Sequence, residues 1–309
     1  MTAIDQLREL FLHIAAILFW PIRLSLFALM GIVCVFTSGA ALSSHKVVDM
    51  AGHSVVVLAQ PKHVLSLCTT ATDAMLRMGA GDRLAGIDEY SRIIPGATNL
   101  AVLGKGSAIS REQVLSRKID LAFIWWYQDD AAQMLAGLGV PAVRIRCERA
   151  DDVSATIRLI GDCVGLTNAA DQLANNVDAQ LETLRKTSAT NAPSVYVELY
   201  SPFKTSGRDS YLNDLINLAG GRNVAADTTG PVLFSAERLL QDNPDIVLVI
   251  DGFATPETFA HRPGMDALAA VKTGRVFSIE RSLLVAGAGL PQNVAALHRL
   301  FNLNTQTKL

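Results

Sequence analysis

Three adjacent aromatic residues, Trp125-Trp126-Tyr127, follow directly on the apolar run Leu121-Ala122-Phe123-Ile124. A second group, Tyr200 and Phe203, follows the run Val195-Tyr196-Val197. Aromatic residues are only 6% of the 309-residue chain, yet they gather where apolar runs end. Walls of this kind suit a flat or bulky organic ligand, with a few polar groups to fix its orientation. Arg92, Arg208 and Arg281 supply bidentate donors for carboxylates or for the negative charge of a metal chelate. With Thr69, Tyr90, Trp126, Tyr127, Tyr200 and Phe203 they form the candidate ligand-binding set. Trp125 and Trp126 point to opposite sides if the extended backbone continues, so at most one of the two faces the ligand. Core packing is the competing role for each aromatic.

The same survey finds no catalytic constellation, so no enzymatic activity is expected. The chain lacks G-x-S-x-G, a phosphate-binding P-loop and H-E-x-x-H. Ser66, Asp73 and His63 are close in sequence, but no nucleophile elbow surrounds the serine. His45, His53, His63, His261 and His298 are scattered without metal-ligand spacing, and there is no C-x-x-C. No resident metal or cofactor is expected. The formal charge of −2 provides no electrostatic footprint for nucleic acid. A monomer is expected.

The elements that position these residues occur twice. Ser110 to Ile124 aligns without a gap on Ser235 to Val249. Each copy has a serine N-cap, an acid two residues later, an apolar pair, a polar turn, an aspartate (Asp120, Asp245) and a strand. Ser110 and Gln113 have capping-box spacing. The runs after the aspartates lack alternation, as expected for strands buried on both faces of a parallel sheet. Upstream, Met75 to Gly86 resembles Leu215 to Ala226, each a helix end, a glycine stop and a short strand. Gly79-Ala80-Gly81 therefore closes a helix and is no dinucleotide fingerprint. Val47-Val48-Asp49 and Ser54 to Val57 around Gly52-His53 read as a hairpin. Between the copies, Leu173, Val177, Leu181 and Leu184 form a helical stripe in a stretch without Gly or Pro. The fold class is α/β, with two Rossmann-like lobes, each built on a central mainly parallel sheet, joined by a single long helix. The N-terminal lobe is placed at 45–165, the linking helix at 166–192 and the C-terminal lobe at 193–309. Ligands of such sheets bind outside the carboxyl ends of the strands.

Residues 1–44 differ from the rest. Leu10 to Phe36 is apolar apart from His13, Pro21, Arg23 and Ser25, and small residues follow through Ala41. A basic flank, an apolar core and a small-residue exit read as a secretory signal peptide. The stretch is also long enough to be an uncleaved membrane anchor. Ile32 and Val33 before Cys34 fit a lipoprotein site poorly. For Cys147 and Cys163, a disulfide and small buried thiols both fit an exported chain, with Cys68 as the odd third cysteine.

The mature chain resembles the substrate-binding proteins of ABC importers for ferric siderophores, haem and cobalamin. The resemblance spans nearly all of residues 46–301. Its carriers include Asp49 to Val55, His63 to Leu67, Asp82 to Asp88, Asp209 to Ile216 with Ala219 to Val224, Asn243 to Val247, Ala270 to Val276, and Leu290-Pro291-Gln292. The resemblance implies a periplasmic carrier that takes a metal chelate between its lobes and hands it to an ABC importer permease. A ferric siderophore leads as ligand, with cobalamin and haem beside it, so any iron or cobalt arrives wrapped in an organic chelator; a bare oxyanion such as molybdate is the alternative. It also implies that a surface glutamate on each lobe docks onto permease arginines; Glu112 and Glu237 match those positions and are the matched acids of the repeat. Paired exposed charges favour orientation and encounter rate. The plainer role of each is to favour its helix N-terminus. A membrane-tethered sensor of the same fold is the remaining alternative.

Overall fold

The computed structural model describes residues 43–186 and 192–303. The N-terminal apolar segment, with its signal-peptide or anchor reading and Cys34, lies outside the described residues. So do 187–191, at the end of the expected linker, and 304–309. The chain from Ser44 onward forms one compact unit.

Strands β1 (Ser44–Val48) and β2 (Ser54–Leu58) pair antiparallel. Asp49 closes their turn by accepting the main-chain N–H groups of Ala51 at 3.0 Å and His53 at 2.8 Å. Gly52 there has φ 86°, a conformation open to glycine without a Cβ penalty.

The first lobe runs β3 (Val64–Ser66), α1 (Thr69–Arg77), β4 (Leu84–Asp88), β5 (Val102–Lys105), β6 (Ala108–Ile109), α2 (Arg111–Ser116), β7 (Leu121–Trp125), α3 (Asp129–Ala136), β8 (Ala142–Ile145) and α4 (Asp152–Cys163). Helix α5 (Thr167–Lys186) follows. The second lobe runs β9 (Ser194–Glu198), β10 (Lys204–Ser206), α6 (Tyr211–Leu218), β11 (Arg222–Asn223), β12 (Pro231–Leu233), α7 (Ala236–Asp242), β13 (Ile246–Ile250), α8 (Pro256–Ala260), α9 (Ala269–Lys272), β14 (Val276–Ile279) and α10 (Leu290–Phe301).

The sheet orders carry the duplication into three dimensions. The first sheet reads β6-β5-β4-β3-β7-β8 and the second β11-β9-β13-β14. Their common part, second strand, first strand, third, fourth, is the same in both. All pairs in that part are parallel. Strands β10 and β12 pair separately and antiparallel.

Burial follows the two-residue period of the strand. In β7, Leu121 and Phe123 join the core between the lobes, while Ala122 and Ile124 join the outer core of the first lobe. In β13, Ile246 and Leu248 face the shared core, and Val247 and Val249 the outer core of the second lobe. Fully burying each large aliphatic side chain contributes about 1.5–3 kcal/mol. These strands need apolar residues at every position, which is why they carry no alternation in sequence.

Helix α5 packs against α4 from the first lobe and against α6 and α10 from the second. Its buried line is Ala170, Ala174, Val177 and Leu181, with Leu173 and Leu184 partly buried beside it. The small residues at the N-terminal end of that line permit close approach to α4. No helix among the described residues is long and apolar enough to cross a membrane.

The approach is tightest at Gly161, where an added Cβ would lie 2.1 Å from the Ala170 Cβ. The usual helix-propensity gain of Gly→Ala, about 1 kcal/mol, is outweighed here by overpacking, which costs about 1–3 kcal/mol. Gly161→Ala is therefore expected to lower the urea midpoint. An unchanged or raised midpoint would refute the close α4–α5 packing.

Candidate ligand-binding cleft

In a sheet of order second, first, third, fourth, the connections leaving the first and third strands go to opposite faces. The crevice they leave is at the carboxyl ends of those two strands. In the first lobe these are β3 and β7, followed by Thr69 and by Trp126-Tyr127. In the second they are β9 and β13, followed by Tyr200 and by Phe253. A cavity of about 560 Å³ is lined by Thr69, Tyr90, Trp125, Tyr127, Tyr200, Phe253 and Arg281, so it draws on both crevices at once.

Its walls are aromatic. Trp125 and Tyr127 are parallel, with centroids 6.4 Å apart. Tyr200 and Phe253 meet edge to face at 5.1 Å. The Arg281 guanidinium lies 5.0 Å from the Tyr90 centroid and 5.0 Å from the Tyr200 centroid, joining the lobes by cation–π contact. Lys105 approaches Tyr90 at 5.6 Å and Glu89 at 3.5 Å.

Beneath the rings a buried polar network holds the loops. Asp88 accepts the Ser91 N–H at 3.0 Å and the Ser91 hydroxyl at 2.7 Å, which fixes the short turn carrying Tyr90. Burial pushes the Asp88 carboxyl above its usual range, opposed by the Ser91 hydrogen bonds and by the charge of Arg281. The Thr72 hydroxyl meets Ser91 at 3.2 Å and Ser66 at 2.8 Å, and Ser66 donates to the Cys68 carbonyl at 2.9 Å.

Other bonds clasp the lobes around the cleft. Thr70 donates to the Ala286 carbonyl at 2.5 Å, and Asp73 accepts the Gly289 N–H at 3.2 Å. Arg149 forms a fork with Asp214 at 2.8 and 2.7 Å, and the Ala150 N–H joins the same carboxylate at 3.0 Å.

Of the candidate ligand residues, the structure brings Thr69, Tyr90, Tyr127, Tyr200 and Arg281 into one cavity. Trp126 lines an adjoining one, and Trp125 takes the place beside Tyr127. The strand stops at Trp125 and the chain turns through Trp126 and Tyr127, closed by the Gln128 N–H donating to the Trp125 carbonyl at 3.0 Å, so the strand period does not carry past Trp125. Three candidates stand apart from this cavity. Phe203, with φ 60°, packs on the outer core of the second lobe and lies 5.7 Å from Arg262. The Arg208 guanidinium donates to the Asp227 carbonyl at 3.2 Å. Arg92 is exposed on the Tyr90 turn and does not line the cavity. Phe253 and Trp125 were missing from the candidate set. The repeat contained a signal for Phe253, which sits in the loop after β13 that corresponds to the loop after β7.

Glu112 and Glu237 are exposed in the first turns of α2 and α7, the equivalent helices. Ser110 accepts the Gln113 N–H at 3.3 Å and Ser235 the Arg238 N–H at 3.1 Å. Hydrogen bonds from its own main chain and from Ser235 hold Glu237 below the usual carboxylate range. Crossover helices run opposite to parallel strands, so both glutamates lie at the carboxyl edge, as the cleft does.

Cys68, Cys147 and Cys163 are free and buried, so the small-hydrophobe role applies. Burial pushes the Cys147 and Cys163 thiols up to about 12 and that of Cys68 higher still. Among the described residues no group of His, Cys, Asp or Glu is placed to hold a metal ion.

Two lobes, a linking helix and a cleft between the lobes define a ligand-binding protein. Residues 64–283 match the family model described as periplasmic binding protein, and the chain belongs to that family. It is 26% identical to the uncharacterized ABC transporter substrate-binding lipoprotein YvrC of Bacillus subtilis, covering 81% of this chain and 82% of that protein. It is also 26% identical to a vitamin B12-binding protein of Pectobacterium carotovorum, covering 65% of this chain and 76% of the relative. The fold is that of the periplasmic haem-binding protein RhuT of Roseiflexus, at a TM-score of 0.72 and 23% identity over 79% of this chain and 99% of that one. It is likewise that of the periplasmic vitamin B12-binding protein BtuF of Vibrio cholerae, at 0.67 and 21% over 80% and 99%.

The Tyr200 loop is anchored by a nearly buried ion pair. Glu198, 3% exposed, accepts two bonds from Arg262 at 2.6 and 2.8 Å and the Phe203 N–H at 2.9 Å. Removing one partner of a buried pair strands the other charge at a cost of about 3–5 kcal/mol. Arg262→Met is expected to lower unfolding stability by about that amount in urea titration. A loss under about 1 kcal/mol, the scale of an exposed pair, would rule out the anchoring role.

Proposed function

We propose that this protein is an exported carrier that binds a metal chelate in the interlobe cleft and delivers it to the permease of an ABC importer. The observation that carries this reading is the Arg281 guanidinium held between Tyr90 and Tyr200 inside an aromatic cleft drawn from both lobes. Rings provide stacking area for an organic shell, and a single cation favours a ligand with negative charge at its centre or edge. A bare oxyanion needs little apolar area, whereas five aromatic side chains line this cavity and suit an organic shell. The relatives named for haem and for vitamin B12 favour the chelate reading and leave a ferric siderophore as the third candidate. Carriage requires no chemistry on the ligand, so no catalytic role is assigned. Export to the periplasm, by cleavage after the N-terminal apolar segment, accords with the family to which the chain belongs.

Glu112 and Glu237 are assigned to the permease dock. They are matched by the repeat, exposed, and on the cleft edge, so one approach brings the ligand and both charges to the membrane partner.

A thermal-shift panel of ferric siderophores, haem, cobalamin and molybdate tests the ligand class. A ligand at a hundred times its Kd stabilises the folded state by about 2.7 kcal/mol, so one chelate is expected to raise Tm clearly. A shift with molybdate alone would overturn the reading. For the dock, Glu112→Ala with Glu237→Ala is expected to leave chelate affinity unchanged while lowering importer-dependent uptake. Undiminished uptake by the double variant would remove the docking assignment.

A further inference from the structure

Tyr200 lines a second cavity as well as the aromatic one. This second chamber, about 530 Å³, also lies between the lobes, with Trp126, Arg146 and Glu148 from the first and Asp209 among its residues from the second. Trp125, the last residue of β7, and Trp126, the first of the turn after it, thus line different chambers. Arg146 lies 4.8 Å from the Trp126 ring, and its Nε donates to Glu148 at 2.7 Å. Its terminal nitrogens meet no hydrogen-bonding partner among the described residues. Asp209 accepts the Gly230 N–H at 2.6 Å and is otherwise open to solvent and cavity.

The two chambers differ in charge and chemistry. Arg281 is the single charged residue lining the first, giving it a formal +1. The second sets Arg146 against Glu148 and Asp209, a formal −1. A second anionic group is therefore unwelcome there. The stacked Arg146 offers donors, the two carboxylates offer acceptors, and Trp126 offers apolar area. Amide and hydroxyl groups satisfy such a mixture without adding charge.

We propose that the two chambers hold two parts of one ligand: the chelate core against the rings and Arg281, and an uncharged hydrogen-bonding arm against Trp126 and Arg146. This rests on the chelate reading above and adds the residues that select the arm. Tyr200 is then the partition that both parts touch.

Two neutral ferric trihydroxamates test it, together with haemin. N-acetylferrioxamine B carries a free amide arm; ferrioxamine E is the closed ring without one. By titration calorimetry, the full mature chain is expected to bind the armed chelate roughly tenfold tighter, the scale of one to two added hydrogen bonds. Trp126→Ala and Arg146→Ala, made separately and checked for unchanged Tm, are each expected to reduce that preference, and Arg146→Ala to leave ferrioxamine E within about twofold, since Arg146 does not line the first chamber. Equal affinity for the pair in the unsubstituted protein would overturn the inference. So would variants that weaken both chelates alike, or two equivalents of haemin, one of them lost in Trp126→Ala. Binding of haemin alone overturns the arm and leaves the chelate reading standing. Failure of all three, with cobalamin also silent, brings down both.

Discussion

A strand buried on both faces can present only its ends to a ligand. Strands β7 and β13 are in that position, flanked on each side by parallel neighbours and covered above and below by apolar cores. The constraint sets the rest. It demands apolar residues along the middle of these strands, it requires crossover helices on both faces, and it leaves chemically distinctive residues to the strand ends and the loops at the carboxyl edge. Trp126-Tyr127 and Phe253 sit there because the strands have no other place to offer. The helices that return to these strands begin at the same edge, which is why Glu112 and Glu237 accompany the cleft.

Doubling the unit turns two crevices into one open cleft that both lobes line. Neither lobe supplies the whole wall: Tyr90, Trp125 and Tyr127 come from one, and Tyr200, Phe253 and Arg281 from the other. The lobes share a continuous core through α4, α5, α6 and α10, and the Arg149–Asp214 fork, the Thr70–Ala286 bond and the Asp73–Gly289 bond tie them further. A site made between units that are packed this firmly is largely preformed, so less of the binding free energy is lost to ordering. Arg281 belongs to that packing as well as to the cavity wall, because its guanidinium bridges the tyrosines of the two lobes.

The repeat, the alternation of strands and helices and the linking helix were legible in the sequence because each leaves a periodic mark. Ser110 to Ile124 and Ser235 to Val249 align residue by residue, and a helix of twenty residues without Gly or Pro has few other readings. The site was only partly legible. Thr69, Tyr90, Tyr127, Tyr200 and Arg281 were identified by one rule, that ligand groups follow strand ends. The same rule admitted Phe203, whose positive φ turns it onto the outer core, and Arg208, whose guanidinium is taken by the Asp227 carbonyl. Trp126 was preferred to Trp125 because the sequence does not mark where β7 stops, and a shift of one residue exchanges the two sides.

By itself, then, the sequence determined the two-lobed α/β architecture, the aromatic and basic character of the ligand site and the symmetry of the paired glutamates. These depend on residue type and spacing along the chain. Only the tertiary structure decided which aromatic faces which chamber, that Arg281 bridges Tyr90 and Tyr200, and that the cysteines stay as separate buried thiols. Those outcomes depend on distances between segments far apart in sequence, and such distances are set by packing the two cores against a shared set of helices.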